Sequence, residues 1–459
     1  MVFSSLIFLY LFLPLTILLY FAMPTLKAKN IILMVLSLAF YAWGEPVWVL
    51  LLGYSSLLDF TCGRLIGRFR DGWQAKAAVA LSLVGNLGVL ATFKYMRFFL
   101  DNVGLLIGKD IPGWEFALPI GISFYTFQTL SYTLDVYRNK TQVQKNFGDF
   151  LLFVSLFPQL IAGPILRYSD LAAQLGDRKS TLKGFFDGIT RFCCGLGKKV
   201  LIANSCGAIT ERLLGGDLGR LAGAEAWLGL LMFTFQIYFD FSGYSDMAIG
   251  MGKMFGFEYG ENFKHPYISR SITEFWRRWH ISLSSFFRDY VYIPMGGNRR
   301  HQVLNLFVVW GLTGLWHGAS WNFVLWGLYF FLLLILEKFL IRDALTKIPR
   351  VFSWFYAFFF ACLGWVLFYF TDLSAMGRMF GILFGGAPFW TASTTSLVVG
   401  NLPLLVLAAV ASAPLLGKLG RTAQKRLPWA PIPFNLVMLG LCTASLVGDS
   451  YNPFLYFRF

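Results

Sequence analysis

Four histidines stand among the 459 residues, at positions 265, 280, 301 and 317. His317 lies in GLTGLWHGASW (311–321). The apolar run around it, VLNLFVVWGLTGLWHGASWNFVLWGLYFFLLLILEKFL, is long enough to enter a membrane twice. An ionisable side chain at membrane depth is costly and marks a functional site by default. Burial disfavours the charged ring. A neutral imidazole is a competent general base toward a hydroxyl. The alternative is a ring hydrogen-bonded between two helices, or one resting among tryptophans at the outer interface. His280 lies in SITEFWRRWHISLSSFFRDYVYIPMGGNRR (271–300), where Trp276, Trp279, Phe286, Phe287, Tyr290 and Tyr292 alternate with Arg277, Arg278, Arg288 and Asp289. Such interleaving suits a helix half-sunk in lipid headgroups. It also suits arginines facing the phosphates of a bound donor, because guanidinium forks match phosphate oxygens. The glycines of MGGNRR fit a tight turn. His265, in NFKHPYISR, and His301, after Arg299 and Arg300, read as solvated loop residues.

A third polar group is QIYFDFSGYSDMAIGMGKMFG (236–256), with Asp240, Ser242, Tyr244 and Asp246 beside a deep apolar run. Asp240 and Tyr244 are four apart and share one helical face. Carboxylates at that depth need partners. They form either a helix-packing network or a support that orients a base or an acceptor hydroxyl. Ser123, Tyr125, Gln128 and Tyr132 run along LPIGISFYTFQTLSYTLDVYRNK (118–140), and two prolines and a glycine interrupt FPQLIAGPILRYSD (157–170). Interrupted helices of this kind either line a cavity or are ordinary kinks.

Several chemistries are excluded. The sequence has no P-loop, no strand-borne GxGxxG, no GxSxG and no HExxH. No His/Cys spacing fits a metal, so none is expected. Cys62, Cys193, Cys194, Cys206, Cys362 and Cys442 read as helix-packing residues. What remains suits acyl transfer, with a base, a hydroxyl acceptor and a thioester donor. Transport along a polar path fits the same residues.

The elements that must position these groups follow from composition. With 57% hydrophobic and only 14% charged residues, and apolar runs recurring from end to end, the chain is a polytopic membrane protein. The runs are continuous rather than alternating, so the spans are helices, not a barrel. Thirteen stretches qualify, near 2–22, 30–43, 46–62, 78–95, 116–136, 147–166, 184–206, 223–241, 302–316, 321–341, 351–371, 397–415 and 433–448, within a single integral-membrane domain over 1–459. The first reads as a retained span rather than a cleaved signal. Residues 98–115 and 242–300 read as interfacial or re-entrant. The net charge of +15 fits basic loops held on the cytoplasmic side; nothing supports nucleic-acid binding. The basic segments 24–30, 63–76, 338–350 and 417–426 then face the cytoplasm, and both termini face outward. From Arg299 and Arg300 at the cytoplasmic edge, residues 302–316 rise roughly 22 Å, which places His317 deep, toward the outer leaflet.

The segments quoted, with LFPQLIAGPILRY, NFKHPYISRSITEFWRRWHISLSSFFRDYVYIPMGGNR and GLTGLWHGASWNFVLWGLY foremost, closely resemble the membrane-bound O-acyltransferase family over residues 1–370, with core motifs in 118–330. Residues 371–459 are less distinctive. ITEFWRRWHISLS and YIPMGGNR resemble the branch that acetylates exported polysaccharides. The resemblance implies an all-α fold, a ring of roughly a dozen tilted helices with re-entrant helices around a central tunnel, in a bacterial inner membrane. It implies that His317 is catalytic and His280 a second functional histidine, with Asp240, Tyr244, Asp246, Trp316 and Asn322 in support. Acetyl-CoA would be the donor, a substrate rather than a resident cofactor, with its phosphates near Arg277, Arg278, Arg299 or Arg300. Because the outer loops are short, a separate extracytoplasmic SGNH-type (Ser-His-Asp) acetyltransferase is expected as partner. Alginate, cellulose, peptidoglycan and other exopolysaccharides all stay open as final acceptors. D-alanyl transfer toward teichoic acid, and a non-enzymatic transporter or assembly subunit, are the alternatives.

Overall fold

Apolar stretches between basic loops become helices because a lipid-immersed backbone must satisfy its own hydrogen bonds. The computed structural model describes residues 2–113, 116–161, 163–448 and 454–455. Among these there is no β-strand. Seven helices among the described residues are long and apolar enough to cross a membrane: Leu26–Gly44, Val49–Arg68, Trp73–Ile107, Trp321–Lys347, Arg350–Tyr369, Ala392–Ser412 and Pro431–Gly448. The chain is an all-helical, multi-pass membrane protein. Other stretches read as spans are shorter or more polar. Residues 116–136 give the helix Ile122–Tyr137, whose 16 residues are buried on nearly every face. Residues 147–166 break into Phe147–Ser155 and the single turn Phe157–Leu160, and helix resumes only at Tyr168. Pro158 sits at the start of that turn, where its missing N–H removes no helical hydrogen bond.

By its contacts the chain divides into two compact units, residues up to 192 with 245–260, and residues 193–244 with 261 onward. The first unit is fastened by polar groups. Asp59, fully buried on Val49–Arg68, accepts from Asn86 Nδ2 (2.7 Å), from Thr133 Oγ1 (2.8 Å) and from Ser82 Oγ. One carboxylate thus ties three helices, and its hydrogen bonds offset its desolvation. Gly121, at φ +79°, lies so close to the Leu160 carbonyl that a Cβ would stand 2.9 Å from it, which holds the start of Ile122–Tyr137 against the interrupted segment.

The second unit packs on aromatic rings and close backbones. Gln302–His317 and Trp321–Leu336 approach through Gly314 and Gly327; a Cβ at either would fall on the carbonyls of Phe323 and Trp310 respectively. Trp276 meets Trp310 (4.7 Å), Phe330 (4.8 Å) and Trp326 (5.4 Å) edge-on, and Trp279 meets Trp365 at 4.8 Å. Residues 271–300 therefore do not form one continuous helix. They contain two short helices, Ile272–Arg278 and Ile281–Phe287, with Trp276, Trp279 and His280 in the core. Burying these rings against other rings is favourable in itself. Ser271 caps the first helix at Glu274 N (2.9 Å). The buried Glu337 carboxylate accepts from the N–H groups of Ile272 and Thr273 (2.8 Å for the latter) and from Thr273 Oγ1 (2.7 Å), which suits an acid at a helix N-terminus.

Candidate functional site

His317 is the last residue of Gln302–His317 and is 5% exposed. The chain reverses over residues 318–320 and Trp321 begins the next helix. Asn322, fully buried, accepts from Ser320 Oγ and donates to the Leu367 carbonyl (3.1 Å). It thereby ties the reversal beside His317 to the helix Arg350–Tyr369. The imidazole stands edge-on to Trp316 (4.9 Å), Trp326 (4.9 Å) and Phe368 (5.2 Å). A cavity of about 10 Å³ opens against it, lined also by Asp240, Phe241, Trp279, Trp365 and Leu455. That is the room of about one water.

Asp240 and Tyr244 share a helical face, as their spacing requires, and what they hold is residues 454–455. Asp240 Oδ2 accepts from Leu455 N (2.8 Å), its Oδ1 pairs with Lys199 Nζ at 2.6 Å, and Tyr244 stacks on Phe454 at 4.8 Å. Asp240 and Leu455 are both in the wall beside His317. Asp246 is engaged within the first unit, where Arg191 pairs with it at 2.6 Å, and it lines neither cavity described here.

His280 is 1% exposed and links the two short helices in a left-handed conformation, φ 44°. Its ring meets Phe241 edge-on at 4.6 Å and Trp316 at 5.7 Å. Nδ1 faces Asn262 Oδ1 at 3.2 Å. Asn262 was not singled out from sequence, although it opens the NFKHPY stretch; a side chain 18 residues before its partner shows no periodic signal.

His280 also belongs to the wall of a much larger cavity, about 1090 Å³, between the 270–298 segment, Gln302–His317 and the 334–353 segment. Arg270, Arg277, Arg288, Lys338, Arg342 and Arg350 line it, against Glu274 and Glu337. Both acids are already engaged, Glu274 by Arg278 (2.8 Å) and Glu337 by backbone N–H groups. Arg288 pairs with Asp289 at 2.6 Å. The remaining balance favours an anion. Of the four arginines proposed from sequence, only Arg277 lines this cavity. Arg278 binds Glu274 and the Lys264 carbonyl (3.0 Å). Arg299 and Arg300 are exposed in the turn that Gly296 and Gly297 form at φ 108° and 55°, and Asn305 holds that turn through the Gly297 and Arg300 carbonyls. Arg270, Lys338, Arg342 and Arg350 were missed because their charge reads equally as loop topology. His301 is exposed, while His265 reaches the Ser412 carbonyl at 3.0 Å. Among the described residues no group of three His, Cys, Asp or Glu side chains is placed to hold a metal.

The model of MBOAT, the membrane-bound O-acyltransferase family, matches residues 142–376, a stretch that contains both histidines, Asn262 and every residue named in the large cavity. The chain is 40% identical to a probable alginate O-acetylase of Azotobacter vinelandii and 39% identical to one of Pseudomonas putida, in each case over the whole of both chains. It is 34% identical to a peptidoglycan O-acetyltransferase of Helicobacter pylori over 80% of this chain and 77% of that one.

Proposed function

This chain belongs to the membrane-bound O-acyltransferase family, and from that premise we propose that it takes an acetyl group from cytoplasmic acetyl-CoA and delivers it to an extracytoplasmic acceptor for O-acetylation of an exported polysaccharide, alginate being the first candidate. The observation that carries this reading is one indole. Trp316 touches both His280, in the wall of the large basic cavity, and His317, in the wall of the small one. The large cavity suits a donor with an anionic end. Its wall includes Lys338, Arg342 and Arg350, from the basic segment that charge asymmetry places on the cytoplasmic side. Arg277, Arg342 and Arg350 meet the phosphates of the donor, and the thioester lies inward, toward the histidines.

At His317 the acceptor hydroxyl gives its proton to the imidazole as its oxygen attacks the thioester carbonyl. The carbon–sulfur bond breaks and CoA leaves as thiolate, which the imidazolium then protonates. Asp240, itself in the pocket wall, acts with Tyr244 and Asn322 by fixing the helices and residues 454–455 that shape the pocket. In this account the acceptor is either the polysaccharide hydroxyl or the serine of a separate SGNH-type transferase on the outer face, and the helices surround a path between the two sides of an inner membrane.

The test is thiol release. Purified protein in proteoliposomes, given acetyl-CoA and an acceptor, is expected to produce free CoA in step with acetylated acceptor. Uptake of solute or protons with no consumption of acetyl-CoA would replace the transferase by a transporter.

A further inference from the structure

We infer that Asn262 is a positioning residue that locks His280 in the Nδ1–H tautomer, so that Nε2 offers its lone pair to an O–H or N–H of a molecule held in the large cavity. The Asn262 side-chain oxygen is identified by its neighbours. Ser282 N lies 3.2 Å from it, and a backbone N–H can only donate, so the atom facing it is the amide oxygen rather than the nitrogen. Ser282 Oγ donates to the same atom at 2.9 Å. His280 Nδ1 stands 3.2 Å from that oxygen. Ser282 Oγ also lies 3.4 Å from Nδ1, but its proton goes to the nearer Asn262 oxygen, so it too faces Nδ1 as an acceptor. Two acceptors cannot share a hydrogen bond, so Nδ1 carries the proton and Nε2 of the neutral ring is the acceptor.

The rest of the environment leaves Nε2 for a substrate. It is buried and has no hydrogen-bond partner among the described residues. Trp276, which lines the same cavity, likewise has a buried nitrogen with no hydrogen-bond partner among the described residues; this Nε1 is of opposite character and only donates. Buried polar atoms are rarely left unpaired without a reason. A donor and an acceptor on one wall match a molecule that carries both a carbonyl and an N–H or O–H, as an acyl thioester with an amide arm does. The His280 backbone makes the lock rigid. At φ 44° it turns the chain so that Ile281 N reaches the Asn262 carbonyl at 3.0 Å. Asn262 therefore grips the start of the Ile281–Phe287 helix through its backbone oxygen and its side-chain oxygen together.

The catalytic consequence rests on the transferase reading above; the tautomer does not. The full chain is labelled with ¹⁵N-histidine in nanodiscs, and the His280 signals are assigned with His280→Gln. Wild type, Asn262→Asp and Ser282→Ala are expected to show a protonated Nδ1 and a bare Nε2, because each keeps an acceptor opposite Nδ1. Asn262→Leu is expected to move the proton to Nε2, wholly or in part, and to lower kcat/KM for acetyl-CoA at least about tenfold, while Asn262→Asp retains activity. Loss of a helix cap alone would change stability and leave the tautomer where it is. A wild-type ring protonated at Nε2 overturns the inference, as does a folded Asn262→Leu with an unchanged tautomer or unchanged turnover. If Asn262→Leu does not fold, wild type and Asn262→Asp decide the matter. The predicted tautomer pattern in a protein that turns over no acetyl-CoA would support the lock and overturn the transferase reading instead.

Discussion

Lys199→Met is expected to cost far more than a charge removed from a surface. Lys199 Nζ and Asp240 Oδ1 stand 2.6 Å apart, and each side chain is 3% exposed. Without the ammonium, the Asp240 carboxylate keeps the Leu455 N–H (2.8 Å) in a setting of Phe454, Tyr244 and the aromatic wall. Removing one partner of a buried pair typically costs about 3–5 kcal/mol, because the other charge is left uncompensated. At about 1.4 kcal/mol per decade, that is a fall of roughly a hundredfold to several thousandfold in the ratio of folded to unfolded protein. Adding Asp240→Asn should reverse most of this loss, since a neutral amide oxygen still accepts from Leu455 N. The assay is a double-mutant cycle in detergent, with unfolding followed by tryptophan fluorescence over a graded SDS titration. A single variant within about 1 kcal/mol of wild type, or a double variant less stable than Lys199→Met, would refute the reasoning.

Gly327→Ala should separate Gln302–His317 from Trp321–Leu336, because its Cβ falls on the Trp310 carbonyl; a loss of about 1–3 kcal/mol is expected by the same unfolding assay. Gly311→Ala is the control, since nothing lies within 4 Å of its Cβ, and it should be neutral or slightly stabilising. Glu337→Gln removes the charge that holds the N-terminus of Ile272–Arg278, with an expected cost of about 1–2 kcal/mol and a raised KM for the donor in the thiol-release assay, because Trp276 and Arg277 ride on that helix.

Local polarity was legible in the sequence. The apolar run at 302–317 does form a helix that closes on a buried histidine, the MGG turn is where glycine spacing put it, and the Asp240–Tyr244 face is real. Pairing across the chain was not legible. Lys199 with Asp240, Asn262 with His280 and Glu337 with Ile272 join residues 41, 18 and 65 apart, and no helical period encodes such distances. Hydropathy also counts apolar residues without saying what covers them. The stretch 116–136 is apolar enough to suggest lipid, yet Ile122–Tyr137 is enclosed by protein, and its Thr133 serves Asp59. Aromatic and arginine residues interleaved at 271–300 look interfacial to any amphipathic reading. Three of the rings, Phe275, Trp276 and Trp279, instead join a core to which Trp310, Trp326, Phe330 and Trp365 come from helices downstream.

The role of His317 is decided by acetyl-CoA turnover of wild type and His317→Ala, matched for folding by their unfolding profiles and assayed with acceptor and any required outer-face transferase present. Wild type is expected to release CoA, and the folded variant to lose at least about a hundredfold of that activity. Equal turnover by the two would contradict this and remove His317 from the chemistry.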